Sequence, residues 1–415
     1  MASQSGASKS GGSKSRLISL ALAAALGLTA SNAAAQNAGW VAAWGASQQN
    51  VGEAKISNAT VRLIARVTLP GEAVRIRLDN TYGTAAVAFA RASIAPRVRG
   101  AAVAYGLVQP LTFHGKGTVT IAAGGTEESD PVTMHVDAQQ DLAVSLFVSG
   151  SAQPSQHGNA VVTSYVTDND AGDATASIDG KPFTGHTTSM YWLKEIDVRP
   201  AARASAIVAF GDSITDGTCT TLDAHDRWED LVAQRLALQT PVRFAIVNEG
   251  IGGNTVTNAA DYQPAVNSAP GVERLERDVL SHPGVSHVVV FMGTNDIRRG
   301  ASANLVISGL KDIIARVKAK NIKVIGVTII PRHASVPGVA DTGWNDAKSN
   351  IRHQVNDWIR KDAGFDAVLD FDRVVASKAN PDLMEQSYNC GDGVHPAPIG
   401  YFQMGKSVDL NVFGK

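Results

Sequence analysis

Four short polar stretches, three of them rich in glycine, hold the residue types that acyl transfer needs. The first is Gly211-Asp212-Ser213-Ile214-Thr215-Asp216-Gly217, directly after the apolar run Ile207 to Phe210. A serine at a sharp strand-to-helix turn is lifted clear of its sheet, where the hydroxyl can serve as a nucleophile. The second is Asn248 to Asn254, whose glycines let backbone approach a ligand closely and offer N–H groups to an oxyanion. The third, Gly293-Thr294-Asn295-Asp296, brings a side-chain amide that can donate to the same oxyanion. The fourth is Asp392-Gly393-Val394-His395-Pro396. Imidazole can take a serine proton, and a carboxylate on its other nitrogen fixes the tautomer. Taken singly, each stretch has a plainer reading: a capping serine, an Asx turn, a structural histidine before proline. The glycines of the second stretch do not make a dinucleotide fingerprint, because position 255 is Thr where GxGxxG needs glycine.

These stretches follow apolar runs that alternate with helical patterns. Ser205 to Phe210 reads as a strand covered on both faces, followed by a helix over Arg227 to Leu238. Val242 to Val247 precedes a helix near Gly271 to Leu280, and His287 to Met292 precedes Ala303 to Lys320. Ile322 to Ile330 precedes Trp344 to Asp362, and Ala367 to Phe371 leads to a last helix after Pro398. Such alternation predicts a parallel, doubly wound α/β sheet with ligands bound at the carboxyl ends of its strands. From about Gly39 to Pro200 the texture differs: short β-branched runs broken by turn residues, with no long helical pattern. Thr60 to Val67 and Val74 to Leu78 alternate, which predicts one buried face and arginines on the open one. Thr118 to Ala122, Asp141 to Val148 and Val161 to Val166 also read as strands. An all-β sandwich, jelly-roll-like, is expected over residues 36–200 and an α/β domain over 201–415.

The conjunction of all four stretches at strand ends, in the order Ser, Gly, Asn, Asp-His, resembles the SGNH subgroup of the GDSL hydrolases over about residues 205 to 410. Ile214 stands where the family name implies Leu. The resemblance implies a flavodoxin-like three-layer α/β/α fold and metal-free hydrolysis of carboxylic esters. Carried over by position, Ser213 is the nucleophile, Asp392 and His395 complete a triad, and the Ser213 N–H, the Gly253 N–H and the Asn295 side chain form the oxyanion hole. Asp216 and Asn254 lie beside these groups as candidate substrate contacts, with turn hydrogen bonding as the equal alternative. Trp228 is assigned to the core, and the Asp223, His225, Asp226 group to a solvated loop. The chain also looks like bacterial secreted members with a β-rich domain ahead of the hydrolase, through Trp40-Val41-Ala42-Ala43-Trp44 and Arg75-Ile76-Arg77-Leu78-Asp79-Asn80. That likeness points to short-chain or O-acetyl esters of carbohydrates. The alternatives are a lipase or lysophospholipase, and a glycan-binding protein without turnover.

Composition narrows the remaining classes. The 415 residues carry 37 Lys+Arg against 38 Asp+Glu, so no excess positive field draws the protein to nucleic acid. Charged residues make up 18% and hydrophobic ones 44%, which is a folding composition rather than a disordered one. Lys9, Lys14 and Arg16 precede an uncharged run from Leu17 to Ala30 and the small residues Ala33-Ala34-Ala35, the layout of a Sec-type signal peptide over residues 1–35. The run is too short to span a bilayer. A secreted or periplasmic enzyme without stable membrane insertion is expected, acting on a small-molecule or polysaccharide ester with no cofactor and no metal. Cys219 and Cys390 are the two cysteines, each near one of the loops that a triad must bring together. In an exported protein a disulfide between them is expected.

Overall fold

The computed structural model describes residues 39–339 and 341–414, and the expected signal peptide lies outside them. The C-terminal half holds a five-stranded parallel sheet in the order Phe244–Gly250, Ser205–Gly211, Val285–Phe291, Lys323–Val327, Ala367–Leu369. This is the 2-1-3-4-5 order of doubly wound sheets, with the change of direction beside the first strand. Strand residues alternate between two cores. Ala206, Val208 and Phe210 pack with Leu275, Val306, Leu310 and Val355 on one face. Ile207 and Ala209 pack with Trp228, Val232, Phe371 and Met404 on the other. Helices therefore cover both faces, and the sequence needs near-continuous apolar strands to satisfy them. Trp228 is a core residue, 1% exposed, with its ring edge-to-face on Phe371 at 5.4 Å.

Residues 41–199 are mostly strand. One antiparallel sheet runs Val41–Gly45, Leu193–Arg199, Gly71–Asp79, Val132–Val136, and a second runs Gly185–Thr187, Ser164–Val166, Ile56–Val67, Gln140–Ala152, Val87–Arg99, Ala102–Val103. Both contribute to the apolar cluster that also underlies one face of the parallel sheet. The expectation that arginines occupy an open strand face is corrected here. Arg62 is buried and donates to Ser145 Oγ at 2.8 Å, Ala101 O at 2.6 Å and Ser177 O at 2.8 Å. Arg75 is buried against Asp197 and Glu128. The physical reason is that both faces of these strands are covered, and the guanidinium groups find oxygen partners inside.

The β-rich part also seals an edge of the parallel sheet. Phe244–Gly250 is the outer strand, and the Thr68 hydroxyl accepts from the Ile246 N–H at 2.9 Å while lying 2.9 Å from the Ile246 carbonyl. An unpaired strand edge is thereby occupied by the protein's own side chain. Deeper in the same contact, His282 sits between Glu195 and Glu249 at 2.8 Å from each, all three side chains fully buried. Burial alone would strip the imidazole of its second proton, but the two carboxylates outweigh it and raise its pKa to about 10. Glu249 also accepts from Ser47 Oγ.

Candidate active site

Strand register brings the polar loops together. Gly211 pairs with Gly250 on one side and with Phe291 on the other, so the loops that start at Asp212, Ile251 and Met292 leave the sheet at one level. Ser213 opens the four-residue helix Ser213–Asp216, capped by the Asp212 carboxylate, which accepts from Ile214 N at 3.0 Å. Burial pushes the Asp212 carboxyl up to about 7. As the first residue of its helix, Ser213 has an N–H without an acceptor inside that helix.

Ser213 Oγ lies 2.8 Å from His395 Nε2, and His395 Nδ1 lies 2.5 Å from Asp392 Oδ2. The second carboxylate oxygen of Asp392 accepts from the backbone N–H groups of Val394 and His395, each at 2.8 Å. Burial raises the Asp392 pKa, but the His395 imidazole and those N–H groups outweigh it and hold the carboxyl down at about 2. An ionised carboxylate on Nδ1 leaves Nε2 as the proton acceptor facing the serine. The Asn389 side chain shapes this loop by accepting from Gly391 N at 2.8 Å and Gly393 N at 3.1 Å.

On the other side of Ser213, the Asn295 amide donates to the Asn254 carbonyl at 3.0 Å. One N–H of the NH₂ group is thus anchored, which orients the other. Gly253 has φ +72°, a left-handed conformation that disfavours any residue with a Cβ. Gly250 is required for a different reason: a Cβ there would lie 2.3 Å from the Asp216 backbone nitrogen, so the nucleophile helix could not pack against the strand. Asp296 accepts from Val256 N at 2.8 Å, Thr257 N at 3.0 Å and Tyr262 Oη at 2.9 Å, tying the two neighbouring loops together.

The two candidate substrate contacts both have partners within the protein. Asn254 is fully buried; its amide donates to Ser268 Oγ and Ala269 O, and its oxygen accepts from Arg274 Nε at 3.0 Å. Its side chain is closed off from solvent. The Asp216 carboxylate accepts from His157 Nε2 at 3.0 Å, a residue of the β-rich part. The Asp223 to Asp226 loop is exposed at Asp223, in keeping with a solvated loop, and is tied down there by the N–H and the hydroxyl of Thr163, which both donate to the Asp223 carboxylate. Cys219 and Cys390 form a disulfide that joins the loop after Ser213 to the loop before Asp392. Sequence reasoning missed Arg274. Its guanidinium donates to Gly211 O at 2.8 Å, Glu249 O at 2.9 Å and Ser47 Oγ at 2.9 Å, so one buried group clamps the nucleophile strand, the glycine loop and the β-rich part. No short motif marks it.

Residues 209–401 match the model of the GDSL-like lipase/acylhydrolase family. The C-terminal half of the chain belongs to this family. Its members hydrolyse ester bonds, and the GDSL domain described above makes this chain an ester hydrolase. Solved structures similar to it include the lipase/acylhydrolase from Enterococcus faecalis, 21% identical, covering 51% of this chain and 96% of that one at TM-score 0.39. A member of the lipolytic G-D-S-L family from Veillonella parvula is 22% identical, covering 51% of this chain and 100% of that one at TM-score 0.35. A GDSL-like lipase from Bacteroides thetaiotaomicron is 19% identical, covering 50% and 87% at TM-score 0.36. No curated protein matches the chain. Among the described residues, no helix is long and apolar enough to cross a membrane.

Proposed function

We propose that the protein is an exported serine esterase that cleaves short-chain or O-acetyl esters of carbohydrates through an acyl-enzyme on Ser213. The observation that carries this reading is the unbroken chain Ser213 Oγ, His395, Asp392, with contacts of 2.8 and 2.5 Å. His395 takes the Ser213 proton as Oγ attacks the ester carbonyl, and the Ser213 N–H, Gly253 N–H and Asn295 amide receive the charge on the carbonyl oxygen. Collapse of that intermediate expels the alcohol, which takes the proton from His395. Water then attacks the acyl-enzyme by the same route and releases the acid.

In this reading residues 1–35 are a cleaved leader, residues 36–200 a jelly-roll-like β-sandwich and residues 201–415 the hydrolase domain. The disulfide supports an oxidising compartment, secreted or periplasmic. The carbohydrate assignment rests on the pairing of a β-rich part with a hydrolase, an analogy at the level of architecture. A chain-length series of p-nitrophenyl esters, run beside acetylated xylan with Ser213→Ala as control, tests it. Fastest turnover of acetyl groups with release of acetate from xylan supports the reading. A maximum at long acyl chains makes the enzyme a lipase instead, and activity unchanged by Ser213→Ala removes the mechanism. Glycan binding with no turnover of any ester leaves a binding protein.

A further inference from the structure

Four cationic side chains gather around the loops that carry Asn295 and His395. Arg298 ends the short helix that carries Asn295 and Arg299 directly follows it, Arg332 lies in the loop after strand Lys323–Val327, and Lys348 lies on helix Asp346–Lys361. Arg299 Nη2 comes within 3.9 Å of where a Cβ on Gly253 would stand, which puts that guanidinium beside the glycine of the oxyanion loop. Arg332 is close enough to Asp392, Asp212, Arg298 and Arg299 for their charges to act on it, and Lys348 feels Arg332 and Arg298. The His333 N–H donates to Gly393 O at 2.8 Å, which fixes this loop against the one bearing Asp392 and His395.

Among the described residues, the cluster differs from the other buried arginines in lacking both a carboxylate partner and a full set of oxygen acceptors. Arg75, Arg274 and Arg352 each sit against a carboxylate. Arg62 is met by a set of carbonyl and hydroxyl oxygens. Among the described residues, Arg298, Arg299, Arg332 and Lys348 form no ion pair with a carboxylate, and the remaining segments contain no Asp or Glu. Their contacts are to main-chain oxygens: Arg299 Nε to Pro264 O at 3.0 Å, Arg332 Nη2 to Thr342 O at 2.6 Å, Lys348 Nζ to Arg298 O at 2.8 Å. Arg298 Nε and Arg332 Nε, like Arg352 Nε, are buried with no hydrogen-bond partner, but Arg352 has two carboxylates on its other nitrogens. Leaving such donors unmet is unfavourable, so their presence needs a cause. The acids nearby are otherwise engaged: Asp296 by loop N–H groups, Asp392 by His395, and Asp212 by its helix cap.

We propose that Arg298, Arg299, Arg332 and Lys348 form a subsite for a carboxylate carried by the ester substrate, next to the scissile bond. The proposal rests on the esterase reading and narrows its substrate class to acidic esters. Guanidinium donors match a carboxylate in shape, and a partly desolvated site makes the match count.

The test uses the full chain and two matched pairs of esters. 4-Nitrophenyl hemisuccinate against 4-nitrophenyl butyrate places the charge on the acyl side, and 4-acetoxybenzoate against 4-acetoxybenzamide places it on the alcohol side. In one pair the charged member should show kcat/KM about ten-fold or more above its neutral partner, an advantage that shrinks at 0.5 M salt. R298Q and R332Q should each lower that ratio, mainly through KM of the charged ester. Equal turnover within both pairs, or a ratio unmoved by either variant, overturns the proposal. Titration of succinate into Ser213→Ala protein reads the subsite without turnover: binding that R298Q or R332Q abolishes supports it even if the esterase reading fails, and no binding to the parent protein overturns it. R298Q, at the less buried arginine, guards against misfolding of R332Q.

Discussion

His157 donates to Asp216 across the junction of the β-rich part and the GDSL domain, at 3.0 Å. The other ring nitrogen of His157 lies 2.9 Å from the Ser47 carbonyl, so the ring is held from both sides. Asp216 closes the helix that Ser213 opens, and the pair therefore fixes the far end of the nucleophile turn from outside the domain that bears it. Burial opposes a charged imidazole here, but Asp216 outweighs it and raises the His157 pKa. Replacing His157 by Ala should leave Asp216 buried and unpaired, lower Tm, and lower kcat by about ten- to a hundred-fold through misplacement of Ser213. A variant with wild-type kcat and only a lower Tm would confine the pair to stability.

Asn295→Ala should reduce kcat by about 10²-fold with little change in KM, because its free N–H serves the oxyanion and not the ground state. Asp392→Asn should cost more, on the order of 10⁴-fold, since an amide favours the wrong tautomer of His395. Steady-state kinetics on one neutral ester checks both. An effect confined to KM would contradict the roles given to them.

Gly250→Ala offers a packing test that touches no reacting atom. The new methyl group would stand 2.3 Å from Asp216 N and 2.7 Å from Asp216 Cα, and main chain cannot swing aside as a flexible side chain does. Loss of nearly all activity together with a lower Tm is expected, whereas near-normal kcat would mean that the strand and the nucleophile helix are less tightly apposed than described.

The pH dependence of stability should carry the mark of His282. Its pKa is raised to about 10 in the folded protein, against an ordinary 6.5. Stabilisation from its charge with Glu195 and Glu249 is therefore complete below about pH 6.5 and is lost as pH rises through about 10. Thermal melts should show Tm falling across that window. In His282→Leu, Glu249 stays buried without its cation while Glu195 keeps Arg77 at 2.9 Å, so Tm should already be low at pH 6.5, by the equivalent of about 3–5 kcal/mol, and the slope should flatten. An unaltered slope would point to other groups.

Cys219 and Cys390 close a 171-residue span. In the chain-entropy model such a link contributes about 5 kcal/mol, an upper figure that ignores strain. Cys219→Ser should lower Tm and, because the linked loops flank Ser213 and Asp392, lower kcat as well. Melts and kinetics with and without reductant on the wild-type protein check this, and two alkylatable thiols in the oxidised protein would reject the link.

Much of the candidate site could be read from the sequence because its parts depend on local order. Asp392 and His395 meet within one loop, and Ser213, Gly253 and Asn295 sit just beyond strands whose apolar runs announce their ends. The strand-helix alternation likewise announces the parallel sheet. What escaped is what depends on distant partners. Asp216 and Asn254 sit next to reacting residues in sequence, yet their polar atoms are taken by His157 and Arg274, 59 and 20 residues away. Arg62 and Arg75 alternate with apolar neighbours as solvent-facing residues do, and only tertiary pairing draws them inside. Arg274 follows the same logic: its role comes from the five backbone and side-chain oxygens that converge on it, and helical spacing says nothing of most of them.

One apolar cluster runs without a break from Val41 and Val198 through Val208 and Val247 to Ile359. A gene fragment opening at Ser205 would encode every catalytic side chain but none of the surface that covers Ile246, and it would turn Glu249 and His282 toward water. Recombination among relatives meets the same constraint from the other direction. A β-rich part exchanged for a foreign one changes the foundation under the nucleophile turn, so a chimera with an intact set of catalytic residues would still fall silent unless Ser47, His157 and Glu195 travelled with it.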